Sequence, residues 1–180
     1  MWYDNRRADM LIGTPIFNWL VVAKIKKQAG TWFGEKVELD GYTFDSKKEA
    51  IWYARFVKPS GYEFKVHPKF ELIPKIEVVH GLNLRSITYK PDFVIYNEDG
   101  SIKHVYDLKN SFTTYAIDIA ASLRFKLFGW RYKLPVEVVV PRAKSFRVKV
   151  MGTTKKFEPI EKTDFDYTVD ELVEEAMRWS

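Results

Sequence analysis

The chain has no cysteine among its 180 residues, which excludes disulfides and thiolate metal sites. Any metal must be held by carboxylates, by backbone oxygens, or by His67, His80 and His104. Long hydrophobic runs are missing too. The longest, FNWLVVAKI (17–25) and VEVVV (136–140), fall well short of the roughly 20 residues that span a bilayer. The first residues, MWYDNRRADM, lack the basic-then-apolar order of a secretory signal. No period of 20–50 residues repeats and no tract is of low complexity. These absences predict a soluble protein of the cytoplasm with no membrane partner.

What is present points to a packed globule. Apolar residues make up 46% and aromatic residues 16% of the chain, which argues against disorder. At this length one domain with a sizeable core is expected. The net charge of +5 is uneven: residues 158–180 carry eight acids against Lys162 and Arg178, or −6, leaving +11 on residues 1–157. A basic body suits a phosphate-bearing partner, and ordinary solubility charge is the competing explanation.

Local signals lay out the elements. Thr14, Pro15 and Gly30 bracket a helix over 14–29, and Asp40-Gly41 marks a hairpin turn within 36–44. A second helix over 45–58 ends at Pro59-Ser60-Gly61. Residues 63–79 are rich in strand formers but broken by Pro68 and Pro74, which suggests an edge or bent strand. His80-Gly81 turns the chain back into 84–96. A strand at 102–109, a helix over 113–128 stopped by Gly129, and a strand at 136–140 follow. A ribbon (SFRVKVMG and KKFEPI) and an acidic helix from Thr168 to Trp179 complete the chain. This order predicts an α/β or α+β domain around a mixed sheet, with residues 1–30 and 142–180 as additions to a core at about 31–141. The aromatic run IWYARF (51–56) is explained more simply by a helix packed on a sheet than by base stacking.

The stretch YKPDFVIYNEDGSIKHVYDLKN (89–110) places three charged residues in the arms of a hairpin. Asp99-Gly100 signals a two-residue turn, and in that register Asp92 lies opposite Asp107. With a four-residue loop at 97–100, Asp107 faces Lys90 and Asp92 sits one diagonal away. Lys109 shares the face of Asp107 in either case. Facing carboxylates repel unless a cation bridges them. A divalent cation held by Asp92, Asp107 and the Leu108 carbonyl would serve, with Lys109 near the reacting phosphate. The competing account is a solvated strand with a surface ion pair, since the same spacing recurs in Asp45-Ser46-Lys47. Glu49, three residues after Ser46, is better explained on spacing alone as half of a capping box.

Taken together, GYTFDSKKEA, HPKFELIP, RSITYKPDFVIY, VYDLKN and T…LRFKLF resemble, in that order, a small family of phage and prophage proteins assigned to the PD-(D/E)xK nuclease superfamily. The likeness covers about residues 37–140. It implies a restriction-endonuclease-like core, a central mixed sheet flanked by helices, and Mg²⁺- or Mn²⁺-dependent hydrolysis of DNA phosphodiesters. By resemblance, Glu49 matches a helix glutamate that supports the metal, Asp92 and Asp107 the metal-ligand acids, and Lys109 the lysine at the attacking water. His67 stands where that family has glutamine, and a core or surface role suits it better than a metal role. Asn110 replaces a glycine. Ala120 and Ser122 replace basic residues of the following helix, whose part Arg124 and Lys126 could take.

Other candidate DNA contacts are Lys47 and Lys48, and Thr113 and Thr114, which open a helix where amides can hold a phosphate or simply cap. Arg142, Lys144 and Arg147 lie in a segment (142–156) with six basic residues and no acid. The resemblance implies a role in phage DNA recombination, replication or packaging inside the host cell, with branched-DNA cleavage as one option. Junction-cleaving enzymes often act as dimers, so a homodimer is also an option, although no dimer seam can be read. The alternative from another class is a non-catalytic DNA- or protein-binding module that keeps the fold.

Overall fold

Prolines, glycines and period-two patterning place most of the element boundaries. The computed structural model of the chain describes residues 24–26, 36–155 and 157–178. The chain divides into two compact units, 1–47 and 48–180, where length alone suggests one domain. In the first unit, β1 (Lys24–Lys26), β2 (Lys36–Leu39) and β3 (Tyr42–Phe44) form an antiparallel sheet in that order. Asp40 (φ 52°) and Gly41 (φ 82°) make the two-residue turn between β2 and β3, as the Asp-Gly pair predicts. The helix expected over 14–29 does not hold at Lys24–Lys26, which pair with β2 through Ile25↔Val37. The polar–apolar–polar alternation of Lys-Ile-Lys suits a strand. The rest of that segment lies outside the described residues.

Helix α1 (Lys47–Trp52), all but its first residue in the second unit, runs on as a π-turn (Tyr53–Val57) and a 3-10 turn (Lys58–Ser60) ended by left-handed Gly61. Pro68 and Pro74 then cut the next segment into β4 (Glu63–Val66), β5 (Phe70–Ile73) and β6 (Ile76–Val79). There follow β7 (Leu82–Leu84), β8 (Ile87–Tyr89), β9 (Phe93–Tyr96) and β10 (Ile102–Leu108). The rest is α2 (Ile119–Tyr132), β11 (Glu137–Pro141), β12 (Phe146–Val150), β13 (Ile160–Lys162) and α3 (Val169–Arg178). Six strands build a central mixed sheet in the order β13-β12-β11-β10-β9-β4. Only β10 and β11 run parallel, and α2 is the crossover such a pair requires. The fold is α+β around a mixed sheet, as expected. Among the described residues no helix is long and apolar enough to cross a membrane.

Each face of this sheet carries its own core. On one, Trp52 is fully buried, with the rings of Phe93, Tyr106, Phe146 and Phe165 centred 5.0–5.7 Å away. The aromatic run at 51–56 is therefore a packed helix. Deleting a buried ring of this size costs about 3–5 kcal/mol. On the other face, Phe125 and Phe128 of α2 pack with Leu72, Tyr89, Val94, Val105 and Val138.

Two boundaries differ from expectation. The helix expected over 113–128 begins at Ile119, because Asp118 caps it by accepting from the Ala121 N–H at 2.6 Å. It passes through Gly129 and stops at left-handed Lys133 (φ 58°), two residues before Pro135. The C-terminal segment is also no peripheral addition, since β12 and β13 extend the central sheet and Phe165 enters its core. The acidic helix α3 buries Leu172 and Ala176, and Thr168 and Glu171 cap it reciprocally at 3.1 and 2.8 Å.

A buried polar network ties this segment to the sheet. His104 and Glu137 are 1% and 0% exposed. The ring of His104 meets Glu137 Oε1 at 2.7 Å and the Phe165 carbonyl at 3.1 Å. Tyr167 donates to Glu137 Oε2 at 2.7 Å, and the Tyr106 hydroxyl lies 2.7 Å from that of Tyr167. Burial, then the Glu137 carboxylate, holds both tyrosines well above their ordinary value of 10.0. The folded state therefore keeps protons that the unfolded chain releases at high pH. Stability is undiminished below about pH 10 and falls above it by about 1.4 kcal/mol per pH unit for each such tyrosine. Denaturant titrations at rising pH check this, and Tyr106→Phe should make the alkaline decline shallower.

Candidate metal centre

The turn between β9 and β10 is not the two-residue type that Asp99-Gly100 suggests. Gly100 (φ 79°) has positive φ and Asp99 does not. The Asn97 N–H donates to the Ser101 carbonyl and the Gly100 N–H to the Asn97 carbonyl, both at 2.9 Å. The loop is therefore three residues long, because the Asp99 carboxylate prefers to accept from the Ser101 N–H and hydroxyl at 2.8 and 2.6 Å. A bulge between Ile102 and His104 then shifts the register, giving Ile95↔His104, Val94↔Val105 and Phe93↔Tyr106. That is the pairing a two-residue turn would produce; Asp92 lies just before β9, bonded through its N–H to the Tyr106 carbonyl, and its carboxylate feels that of Asp107.

Asp92 is fixed from several sides. Its N–H donates to the Tyr106 carbonyl at 3.0 Å, and its carbonyl accepts from the His67 N–H at 3.1 Å. Its Oδ2 accepts from the Leu108 N–H at 2.5 Å. What Leu108 offers Asp92 is thus its amide. The Asp107 carboxylate is likewise engaged, by the Tyr89 hydroxyl at 2.9 Å and by the Lys109 ammonium.

Glu49, in the first turn of α1, is buried, and its Oε2 lies 3.2 Å from His67 Nε2. That nitrogen is 3.8 Å from Asp92 Oδ1. His67 has φ 50° although it precedes a proline, a strained backbone that costs about 1–3 kcal/mol and is typical of functional positions. The strain aims the ring between two carboxylates. Donor atoms of Glu49, His67 and Asp92 all lie within 4.8 Å of one another, and the three could hold a metal ion.

The four residues singled out from sequence are therefore brought together, but in a different arrangement. Asp107 lies outside the three-donor group, with Tyr89 and Lys109 on its oxygens, and His67 lies inside it. Expected in a core or surface role, His67 is half-buried between Glu49 and Asp92, where its ring is also a candidate metal ligand. The available signal was position: a polar side chain stands just before PKFELIP, where the resembled pattern has glutamine. Tyr89 was missed as well, since a tyrosine in a strand reads as core.

The electrostatics follow from this crowding. Burial, then the Asp107 and Glu49 carboxylates, push Asp92 well above the ordinary 3.8, against the Leu108 amide and Lys109. Burial draws Lys109 down, but Asp107, Asp92 and Glu49 outweigh it and leave its pKa raised. Burial, then Asp107, also raises Tyr89 well above its usual range. Three carboxyl groups crowd around Lys109, and a divalent cation would favour the ionised form of Asp92 that this crowding disfavours.

Two of the outlying DNA-contact candidates lie by the centre: the charge of Arg124 acts on Tyr89, and Lys48 and Glu49 act on each other. Lys47, Arg124, Lys126, Arg142 and Lys144 are exposed. Lys48 is half-buried and bonds Asn110, and the Arg147 guanidinium sits 5.8 Å over the Phe112 ring. Thr113 and Thr114 do not open a helix. The Thr113 carbonyl accepts from Ala116 and Ile117 in a turn, and both threonines line a groove of about 360 Å³ with Phe112, Ile117 and Leu123.

Residues 30–150 match the family model described as "Protein of unknown function (DUF1064)". The chain belongs to the DUF1064 family. No curated protein and no solved structure matches it. The matched span includes every residue of this DUF1064 centre, from Glu49 to Lys109.

The raised Asp92 value gives a test that needs no activity. With a folded value above the unfolded one, Asp92 disfavours folding once the pH exceeds the unfolded value, so its own contribution to the stability of the metal-free protein falls as pH rises from about 4. Asp92→Asn, which keeps an acceptor for Leu108, should raise the neutral-pH melting temperature by about 2–6 °C. A divalent cation should stabilise the wild type more than this variant, as read by thermal denaturation with and without chelator.

Proposed function

We propose that this DUF1064 protein is a metal-dependent DNA endonuclease. The observation that carries the reading is the convergence of Glu49 from α1, Asp92 before β9, and Asp107 and Lys109 of the β10 arm around one buried patch of charge. A non-catalytic module would be favoured by a Glu49 turned away from the acids. Instead its carboxylate reaches His67, beside Asp92. The +11 carried by residues 1–157 suits a polyanionic substrate. Action on phage DNA in recombination, replication or packaging, branched DNA included, rests on the sequence resemblance.

Glu49, His67 and Asp92 would hold the cation. It supplies Lewis acidity toward the phosphodiester and lowers the pKa of water for in-line attack. The chain's own residues do the rest. Lys109, its pKa raised by three carboxylates, acts as a fixed positive charge that stabilises charge developing on the phosphate, rather than as a base. Asp107 holds that ammonium in place and is itself held by Tyr89.

The imidazole nitrogen bears on metal choice. Mg²⁺ prefers all-oxygen, strongly hydrated sites, whereas imidazole suits transition ions. Mn²⁺ should therefore bind more tightly than Mg²⁺, and His67→Gln should narrow that gap by about tenfold, measured by titration calorimetry.

The decisive assay incubates purified protein with Mg²⁺ or Mn²⁺ and single-stranded, duplex or branched DNA. Cleavage of at least one substrate is expected, with Lys109→Ala and Asp107→Ala each about 10²–10³-fold slower and Asp92→Ala inactive. Activity that survives Asp92→Ala, or no cleavage of any substrate, would sink the proposal.

A further inference from the structure

The ribbon built from β5 to β8 is anchored at one end and bare at the other. At its base β5 pairs with β8, Leu72 and Tyr89 are buried, and the Phe70 and Phe128 rings meet at 5.0 Å. Arg131 and Tyr132 of α2 donate to the Leu72 and Glu71 carbonyls at 3.2 and 2.9 Å. Beyond Pro74 and Arg85 this support ends. Every residue of β6 and β7 is exposed.

Those exposed residues are largely apolar. Eleven large hydrophobic side chains are exposed among the described residues, and five of them, Ile76, Val78, Val79, Leu82 and Leu84, belong to this arm at 46–65% exposure. The arm is nonetheless well shaped. Ile76 pairs with Leu84 and Val79 with Leu82, His80 and Gly81 turn at positive φ, and the Glu77 carboxylate accepts from the Gly81 N–H at 2.6 Å. A two-stranded hairpin with both faces in water is at best marginally stable, and its outer edges are templates for further pairing.

We propose that the β6–β7 arm is a self-association surface through which two copies of the chain pair about a twofold axis. Area supports a second copy. The arm offers roughly 400 Å² of apolar surface, so two copies bury at most roughly 800 Å², the scale of a weak, concentration-dependent interface. Charge supports it as well. Lys75 and Arg85 flank Glu77, so one arm carries both signs that an isologous contact needs. Nucleic acid suits the arm poorly, because surfaces that bind it are polar and strongly basic. The inference is independent of the proposed chemistry.

Light scattering on the full chain over a wide concentration range tests it. Wild type should reach the dimer mass. Leu82→Glu combined with Leu84→Glu should weaken association at least ~10-fold, with an unchanged circular dichroism spectrum to show the fold intact. Because the chain has no cysteine, Val78→Cys should give an oxidised cross-linked dimer, and Ile119→Cys, a control at a more exposed position, should not. A monomer at every concentration, or a dimer that survives the double variant, would overturn the proposal. So would a double variant that loses melting temperature without changing mass, because the arm would then be covered by its own chain.

Discussion

Two carboxylates, Asp92 just before β9 and Asp107 on β10, act on each other electrostatically, and much of the second unit is arranged around that repulsion. Asp92 and Asp107 sit where valine or isoleucine would pack without penalty. The Leu108 amide, the Tyr89 hydroxyl, the Lys109 ammonium and the His67 ring each partly offset the excess charge. Every one of these partners is supplied by a different structural device: the ladder register, the ribbon base, the strand end and a strained turn before Pro68. Removing the acids would relax the site, which is the usual relation between stability and a functional centre.

The sheet gives this centre a rigid support. Trp52 and its aromatic neighbours fill one face and α2 fills the other, so β9 and β10 cannot shift without disturbing both cores. The network of His104, Glu137, Tyr106 and Tyr167 adds a second buried polar system. It differs in kind. Its hydrogen bonds close on one another and on the Phe165 carbonyl, whereas the carboxylates near His67 leave charge to be balanced. That contrast separates a structural network from one suited to holding a cation.

How far each feature was legible depended on the range of its cause. Asp40-Gly41 and His80-Gly81 marked their turns because positive φ is a local demand. Pro68 and Pro74 marked strand breaks for the same reason. The Asp99-Gly100 hairpin has a three-residue loop rather than a two-residue one, yet the strand register matches that of the shorter turn as far as Phe93↔Tyr106, since a bulge at Lys103 restored it. Helix α2 was misplaced because Asp118 outcompeted Thr113 as the cap, a choice decided by where Phe125 and Phe128 must meet the sheet.

By itself, then, the sequence determined the mixed sheet, its proline and glycine punctuation, and the shared face of Asp92, Asp107 and Lys109. These follow from periodicity and turn chemistry within a few residues. Only the tertiary structure decided that His67 joins Glu49 and that Tyr89 holds Asp107, pairs separated by 18 residues each. It also decided that β12 and β13 complete the central sheet while the β6–β7 arm stays uncovered. Such pairings depend on how packed elements approach in space, which spacing along the chain does not encode.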